Sequence, residues 1–249
     1  MKIIFLGTNG WYDTETGNTT CILIETEKYF IILDAGNGIY KIDQYIVETS
    51  RKPIYLFLSH FHLDHIAGLH ILSKFKFSQE MIIYGQTGTK GILDRIINTP
   101  FTVPVTRLPF KVDIHELSEG LHYSPFPIEC RFLLHSSPCM GYRFEVDDRV
   151  IAYCPDTGIC ENAVELSRDA DLLITECSFN GGQTNKEWPH LNPEDAAHIA
   201  KEANAKKLAL IHFDANRYKS LENRKQAEDK ARKIFGNTFA AIDNLCMEI

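Results

Sequence analysis

The sequence contains no hydrophobic run that approaches membrane-spanning length, and this argues against a transmembrane helix. Its opening, MKIIFLGTNG, has an apolar run of only four residues before Gly, so we expect a strand there and not a secretory signal. An excess of basic residues is also absent. The formal net charge of −7 at pH 7 argues against a protein that coats nucleic acid or an anionic membrane, so we expect no membrane partner.

Cysteine pairs with a recognisable spacing are absent as well. The seven cysteines are irregularly spaced and include no CxxC, which indicates free thiols in a reducing compartment, and we expect a cytoplasmic protein. Internal repeats, low-complexity tracts and linkers are also missing. A chain of 249 residues with 44% hydrophobic content can bury a core without disulfides, so we predict a single domain over residues 1–249.

One segment departs from the acidic average. Residues 216–235 carry seven Lys or Arg against three acids. We interpret this segment as the solvated face of an amphipathic helix, and a patch for an anionic substrate is the weaker alternative. The side chains expected to point inward are Leu221, Ala227, Ala231 and Ile234.

Short apolar runs and helical patterns alternate along the chain. Helical patterns lie at 38–48 and 192–203, and in the second Asn192 and Pro193 predict the N-cap and the first helical position. Residues 142–153 predict a β-hairpin. The strand-like runs are 2–6, 19–25, 29–34, 54–58, 81–85, 172–175 and 208–211. Strands interleaved with helices, together with a hairpin, predict an α/β chain with mixed sheets.

Ligand-type residues recur where these apolar runs end. His60 follows IYLFLS, His135 follows CRFLL, and Asp156 follows IAYCP. His212 follows LALI, and Glu176 follows LLIT. One histidine near a core usually just completes a hydrogen bond. Five such strand ends indicate a shared site, because sites in open α/β sheets form at the carboxyl ends of strands.

The segment SHFHLDH, residues 59–65, adds further histidines and a carboxylate between two apolar stretches. Imidazole and carboxylate are ligands for Zn²⁺, and also for Mn²⁺ or Fe²⁺. A catalytic zinc ion needs about three protein ligands. Seven groups therefore predict two ions that share one carboxylate, an arrangement used for hydrolysis. The seven are His60, His62, Asp64, His65, His135, Asp156 and His212.

The pattern H-x-H-x-D-H after an apolar strand, with later His, Asp and His at strand ends, resembles the metallo-β-lactamase superfamily. Within it, the segments HSSPCMGYRFE, YCPDTG, LLITECSF, HLNPEDAAHIAKEA and LIHFDANRY resemble ribonuclease Z and its phosphodiesterase relatives. The resemblance covers nearly the whole chain. It implies an αββα sandwich, in which two mixed β-sheets are flanked by helices, and a metal-dependent hydrolase that acts on phosphodiesters.

The resemblance also implies a role for each site residue. His60, His62 and His135 would hold one metal, and Asp64, His65 and His212 the other, with Asp156 as the bridge. Zn²⁺ is the favoured ion. Asp64 would also face a metal-bridging hydroxide as general base. Glu176 would orient His190 toward a phosphate.

Two departures from ribonuclease Z concern the substrate. Those enzymes carry a Gly- and Pro-rich arm that grips tRNA between the third His and the bridging Asp. Here Asp156 follows His135 by only 21 positions (156 − 135). Thr175 also replaces a His before Glu176. We therefore expect no stable tRNA complex. The expected substrate is a small, cyclic or nucleotide phosphodiester or a nucleic-acid end.

Other functions on the same fold are the alternatives. Thioester or lactone hydrolysis is one, although the expected His190–Glu176 pair favours phosphate, and a redox di-iron protein is another. A non-catalytic metal-bound scaffold is the alternative from a different class, and the complete ligand set argues against it. A homodimer is compatible with the sequence. The remaining His70, His115, His122 and His198 are expected to be structural or on the surface, and Cys177 is expected in the core.

Overall fold

The computed structural model describes all residues 1–249, and the chain folds into sixteen strands and five α-helices. The strands are β1 (Lys2–Gly7), β2 (Asn9–Gly10), β3 (Cys21–Glu25), β4 (Phe30–Leu33), β5 (Ile54–Phe57), β6 (Met81–Gln86), β7 (Val112–Leu117), β8 (Gly120–His122), β9 (Ile128–Leu133), β10 (Cys139–Val146), β11 (Arg149–Cys154), β12 (Leu172–Glu176), β13 (Leu208–Ile211), β14 (Phe213–Asp214), β15 (Thr238–Ala240) and β16 (Cys246–Glu248). The α-helices are α1 (Leu63–Ile66), α2 (Thr89–Ile96), α3 (Glu161–Ser167), α4 (Pro193–Glu202) and α5 (Leu221–Arg232), and 3₁₀ helices cover Asn37–Gln44, Ala67–Lys74 and Val105–Arg107.

The strands form two seven-stranded sheets, in the orders β16-β1-β3-β4-β5-β6-β7 and β15-β13-β12-β11-β10-β9-β8. Both sheets are mixed: β4 to β7 run parallel in the first, as do β11, β12, β13 and β15 in the second, and the other neighbours are antiparallel. The short strands β2 and β14 pair with each other and connect the first loop of the chain to the segment after β13. The predicted mixed α/β fold is confirmed.

Three apolar clusters hold the layers together. One lies between the two sheets, and the other two lie between each sheet and the helices outside it. Strand β1 shows how the sequence achieves this, because Ile3 and Phe5 face the inner cluster while Ile4 and Leu6 face the outer one. The result is the four-layered αββα sandwich that the resemblance implied. None of the helices is long and apolar enough to span a bilayer.

Most of the predicted elements are found. Residues 142–153 lie in the β10–β11 hairpin, in which Tyr142 pairs with Tyr153. The side chain of Asn192 accepts a hydrogen bond of 2.9 Å from the Asp195 backbone N–H and caps α4. The helical pattern at 38–48 is a shorter 3₁₀ helix.

The basic segment at 216–235 is only partly as predicted. Ala227 and Ala231 of α5 are buried, but Leu221 is 48% exposed. Leu221 is the first residue of the helix, and the buried stripe begins about one turn later. That stripe begins with Arg224, which is 1% exposed and stacks 4.8 Å from the ring centroid of Phe213. The inward position predicted for Leu221 is therefore wrong, and Arg224 is an exception to the predicted solvated basic face.

Candidate metal centre

The loops after β5, β9, β11 and β13 meet at one edge of the sandwich, and they bring all seven predicted ligands together. His60, His62, Asp64 and His65 come from the loop and first turn after β5 in the first sheet. The second sheet supplies the other three, which are His135, Asp156 and His212. The site therefore lies between the carboxyl ends of strands from both sheets.

One group consists of His60, His62, His135 and Asp156, whose ligand atoms all lie within 4.8 Å of one another. His62 Nδ1 lies 3.3 Å from His135 Nε2. The Oδ2 atom of Asp156 lies 3.8 Å from the Nε2 atoms of both His60 and His135. Three imidazoles and one carboxylate oxygen therefore converge on a common point.

The second group consists of Asp64, His65 and His212. His212 Nε2 lies 3.1 Å from His65 Nε2 and 3.2 Å from Asp64 Oδ2. The Oδ1 atom of Asp156 lies 3.1 Å from His65 Nε2 and 3.3 Å from His212 Nε2. Asp156 thus presents one oxygen to each group, which is the placement that a bridging carboxylate requires.

The buried polar atoms of the two groups fit divalent cations. His60 Nε2 is buried and has no hydrogen-bond partner, a situation that costs free energy unless another group compensates it. Burial and the neighbouring His65 hold the pKa of His60 well below its usual range, so this imidazole is neutral, as a metal ligand must be. The donor set suits Zn²⁺, Mn²⁺ or Fe²⁺.

Asp34, a buried carboxylate that was not predicted as a site residue, holds the residues around the ligands in place. Asp34 follows β4 with a φ of 55° and accepts hydrogen bonds from the Ser59 backbone N–H (2.7 Å) and the Ser59 hydroxyl (2.8 Å). It also accepts from Tyr153 Oη–H (2.5 Å) and lies 2.7 Å from His65 Nδ1. This contact leaves Nε2 of His65 facing the other ligands. In the sequence, the available signal for Asp34 was its position at the end of an apolar strand, in ILDAG.

His212 is held by its neighbours in a similar way. Its Nδ1 lies 3.0 Å from the hydroxyl oxygen of Ser178, and its backbone adopts a φ of 50°. Gly10 of β2 packs against the imidazole, and a Cβ atom at Gly10 would lie 2.5 to 2.8 Å from three ring atoms. A glycine is therefore required at this position for the ring to occupy its place.

Glu176 and His190 form the predicted pair. His190 Nδ1 lies 2.7 and 2.9 Å from the two carboxylate oxygens of Glu176, which is fully buried and also accepts from the Thr157 backbone N–H. Burial is the largest single effect and disfavours the charged imidazole, but the charge and hydrogen bond of Glu176, together with the charges of Asp156 and Asp64, outweigh it and raise the pKa of His190 to about 9. His190 also has a ligand atom within 4.8 Å of those of Asp156 and His212.

A cavity of about 670 Å³ opens beside the two groups, and His62, Asp64, Asp156 and His190 line it. The aromatic and apolar residues of its wall are Trp11, Leu63, Phe179 and Trp188. The rest of the lining consists of the acid–base pair Asp214 and Arg217, together with Gly10, Ser178 and His212. The Trp11 backbone N–H donates to Asp64 Oδ2 at 2.7 Å, and the Trp188 indole lies 5.9 Å from the His62 ring at an angle of 8°.

The other singled-out residues lie where the sequence predicted. His70, His115 and His198 are exposed, and His122 is half-buried. Cys177 is fully buried, and burial raises the pKa of its thiol well above the usual value, so the thiol stays protonated. The 20 residues between His135 and Asp156 are largely occupied by the β10–β11 hairpin of the second sheet.

Comparisons with known proteins place this geometry in a family context. The profile described as "Beta-lactamase superfamily domain" matches residues 29–213. Ribonuclease Z of Bacillus licheniformis is 28% identical, in an alignment that covers 98% of this chain and 97% of that protein. Ribonuclease Z of Bacillus subtilis is 26% identical and 98% of each chain is covered. The first alignment spans 307 positions, so at least 58 of them (307 − 249) have no counterpart in this chain.

Solved structures share the same fold over the full chain. The metallo-beta-lactamase fold protein YhfI from Bacillus subtilis has a TM-score of 0.81 at 24% identity, with 100% of this chain and 99% of that chain covered. The short form of human tRNase Z has a TM-score of 0.78 at 23% identity and the same coverage. A diphosphatase from the PhnP family has a TM-score of 0.75 at 16% identity, with 100% of this chain and 97% of that chain covered.

Proposed function

Since this chain belongs to the metallo-β-lactamase superfamily, we propose that it is a two-metal hydrolase of phosphodiester bonds and that residues 1–249 act as one domain. The observation that carries the proposal is the placement of Asp156. Its two carboxylate oxygens face two different groups of ligands, which is the arrangement expected of a residue shared by two ions.

We assign the ligands by this division: His60, His62 and His135 would hold one ion, Asp64, His65 and His212 would hold the other, and Asp156 would contribute one oxygen to each. The proposed ions are Zn²⁺, with Mn²⁺ and Fe²⁺ as alternatives. Two divalent cations at such a site lower the pKa of water and stabilise negative charge on a phosphoryl group.

The chain's own residues supply the proton transfers. Hydrolysis adds water across one P–O bond, so a proton leaves the attacking water and another reaches the departing oxygen. We assign the first transfer to Asp64, a carboxylate that lines the cavity beside Asp156. We assign the second to His190, which Glu176 holds in its charged form by two contacts of 2.7 and 2.9 Å.

The His190–Glu176 pair favours phosphodiesters over thioesters and lactones. A positively charged imidazole beside the metal ligands stabilises a phosphate oxygen or protonates a poor leaving group, whereas an ester with a good leaving group needs neither. A non-catalytic scaffold would not need a charged histidine facing the cavity. The pair therefore supports the enzymatic proposal.

We propose that the substrate is a small or cyclic phosphodiester, or a short nucleic-acid end, and that the protein forms no stable tRNA complex. The relatives named above are ribonucleases Z, but this chain has only a hairpin of the second sheet between His135 and Asp156. Its net charge is −7, and affinity for tRNA comes largely from contacts of basic residues with phosphates. Efficient cleavage of a tRNA precursor at its 3′ end, at physiological salt, would contradict this part of the proposal.

Location and self-association are parts of the same proposal. The seven cysteines are unpaired, which supports a reducing compartment such as the cytoplasm, and we propose no membrane partner. Leu121 and Tyr123 at the edge strand β8 are 63% and 75% exposed and offer a surface for a homodimer. Light scattering on the purified protein measures its mass, and a monomer at all concentrations would exclude the dimer.

Metal analysis and a substrate panel test the central proposal together. We expect two ions per chain after saturation with Zn²⁺ or Mn²⁺, and hydrolysis of bis(p-nitrophenyl) phosphate or a cyclic nucleotide but not of a thioester or a lactone. Asp156→Ala should reduce the content of both ions, and His60→Ala mainly that of one. His198→Ala, at an exposed histidine of α4, is the control and should keep both. At most one ion per chain at saturation would refute the two-metal assignment.

A further inference from the structure

The aromatic walls of the cavity are not explained by metal binding. The chain has two tryptophans, and both line this cavity. Trp11 is 66% exposed and Trp188 is 49% exposed. Tryptophan offers a large apolar ring face, and pockets for small ligands are typically lined by such rings next to a few polar groups. Two exposed indoles on one cavity therefore point to a ligand with a flat ring.

Trp11 is held in an unusual backbone conformation. Its φ is 73°, in the left-handed region that bulky side chains rarely adopt. Its backbone N–H donates at 2.7 Å to Asp64 Oδ2, so contact with the proposed metal site holds the backbone in place. Strained residues persist where the surroundings fix them, and they are concentrated at binding and catalytic sites. The strain places a large exposed ring at the rim of the cavity.

Trp188 is fixed by the ligand histidines. Its ring is parallel to His62, with centroids 5.9 Å apart and an angle of 8°, and it lies 5.9 Å from the His135 ring at 68°. One part of the indole is therefore packed against the site. The remainder is exposed in the same cavity that Trp11 lines.

The charges of the cavity leave little to bind a second phosphate. Arg217 is the one Lys or Arg side chain that lines it, and it is paired with the Asp214 carboxylate. Its guanidinium also lies 5.0 Å from the ring centroid of Phe179. Binding free energy beyond the reacting phosphate must therefore come mainly from apolar and aromatic contacts. The volume of about 670 Å³ lies in the range of pockets for small ligands.

We propose that Trp11 and Trp188 form a stacking site for one nucleobase, and that the substrate is a small nucleotide phosphodiester with a single reacting phosphate. The inference rests on the proposed phosphodiesterase function and names its substrate class. Stacking of a base on an aromatic side chain changes affinity by about 5- to 150-fold. The two tryptophans would thus distinguish base-bearing phosphodiesters from base-free ones.

Tryptophan fluorescence tests the stacking directly, because all indole emission of this protein comes from the cavity. Zn²⁺-loaded protein is titrated with adenosine monophosphate and, separately, with ribose 5-phosphate. We expect quenching by the nucleotide and an affinity at least about 5-fold higher than that of the sugar phosphate. Equal affinities for the two ligands would overturn the stacking site.

Variants of Trp11 distinguish the contribution of its ring to nucleotide affinity from that of its backbone contact with Asp64. Trp11→Ala keeps the N–H that binds Asp64 and should lower nucleotide affinity by at least about 5-fold, with ribose 5-phosphate unchanged. Trp11→Phe should retain most of the affinity, which shows that the loop still folds. Tyr123→Ala removes a 75% exposed aromatic ring outside the cavity and is the matched control. A loss for both ligands in Trp11→Ala would assign Trp11 a structural role instead.

Turnover distinguishes a failure of this inference from a failure of the proposed function. The wild-type enzyme is assayed with a cyclic nucleotide, a dinucleotide, a base-free cyclic ribose phosphate and a longer RNA. We expect kcat/KM to be highest for the two small nucleotides, and to fall in Trp11→Ala for the base-bearing substrates but not for the base-free one. Equal rates on base-bearing and base-free substrates overturn the stacking site, and a preference for the longer RNA overturns the small-substrate class. No hydrolysis of any phosphodiester overturns the proposed function itself.

Discussion

Replacement of His190 by alanine tests how the enzyme protonates its leaving group. Nδ1 of His190 contacts both oxygens of Glu176, at 2.7 and 2.9 Å, so the ring is oriented and charged without using its other nitrogen. General acid catalysis of this kind contributes ~10²- to 10⁴-fold to rate. His190→Ala should therefore lower kcat at least about a hundredfold on a phosphodiester with a poor leaving group. The loss should be much smaller on a p-nitrophenyl ester.

The pH dependence follows from the raised pKa of His190. An acid must carry its proton, so activity should fall as pH rises through the pKa of His190, which is about 9. Bound cations nearby lower this value, because like charges disfavour the imidazolium. With a pKa of about 9 the ring is ~97% protonated at pH 7.5, against ~10% at the ordinary pKa of about 6.5.

Glu176→Gln tests the negative charge of Glu176 separately from its contact with His190. It removes the carboxylate that holds the proton on His190, so the alkaline limb of the pH–rate profile should move down by about 2.5 units, from about 9 to the ordinary value of about 6.5. At pH 7.5 the loss of protonated His190 alone should lower kcat by about tenfold. His198→Ala is the matched control, because that histidine is exposed on α4.

Metal content decides whether His190 acts as the acid. His190→Ala should keep both ions and the fold, as measured by elemental analysis and circular dichroism. The histidine also has a ligand atom within 4.8 Å of Asp156 and His212, so metal ligation is the competing role. Loss of an ion, or an equal slowing of poor and good leaving groups, would refute the acid role.

The remaining predictions concern the support of the site. Asp34→Ala leaves the donors of Ser59 and Tyr153 buried without an acceptor, so urea denaturation should show that the free energy of unfolding falls by at least about 3 kcal/mol. In the same variant, a competition titration should show metal binding that is about 10- to 100-fold weaker. Gly10→Ala should lower the metal content by one ion per chain, because its Cβ would lie 2.5 to 2.8 Å from the His212 ring. Gly91→Ala in α2 is the control, since a Cβ there meets nothing within 4 Å, and it should raise the free energy of unfolding by about 0.5–1 kcal/mol. Chelation should lower Tm in calorimetry and Zn²⁺ should restore it, since the assembled site exists only in the folded chain; an unchanged Tm in metal-free protein would contradict this.

The structure brings the seven predicted ligands together, and two simple rules determine where they lie. Short apolar strands fix where the chain turns at the sheet edge, and the ligand types follow directly after those strands, as His135 and Asp156 show. The fold class could be predicted from the interleaved strands and helices with a hairpin, which indicate a mixed α/β chain, whereas the two-sheet sandwich was implied only by the family resemblance.

The missed features depend on contacts between distant parts of the chain. Asp34 resembles any other acid after a strand until Tyr153, 119 residues away, donates a hydrogen bond to it. Arg224 fits the polar face of a helix, and its burial follows only from partners such as Thr8, 216 residues away. Helical periodicity identifies the inward face, but it does not show that this face meets hydroxyl and amide oxygens.

The division of the proposed ligands between the two sheets has a consequence for biosynthesis. A ribosome makes the chain from residue 1 onward, so His60, His62, Asp64 and His65 exist long before His212 has been joined. During that interval the growing chain presents an incomplete set of metal-binding side chains, which can capture a cation only loosely. The full set of proposed ligands is therefore complete only late in translation, after His212 has been joined.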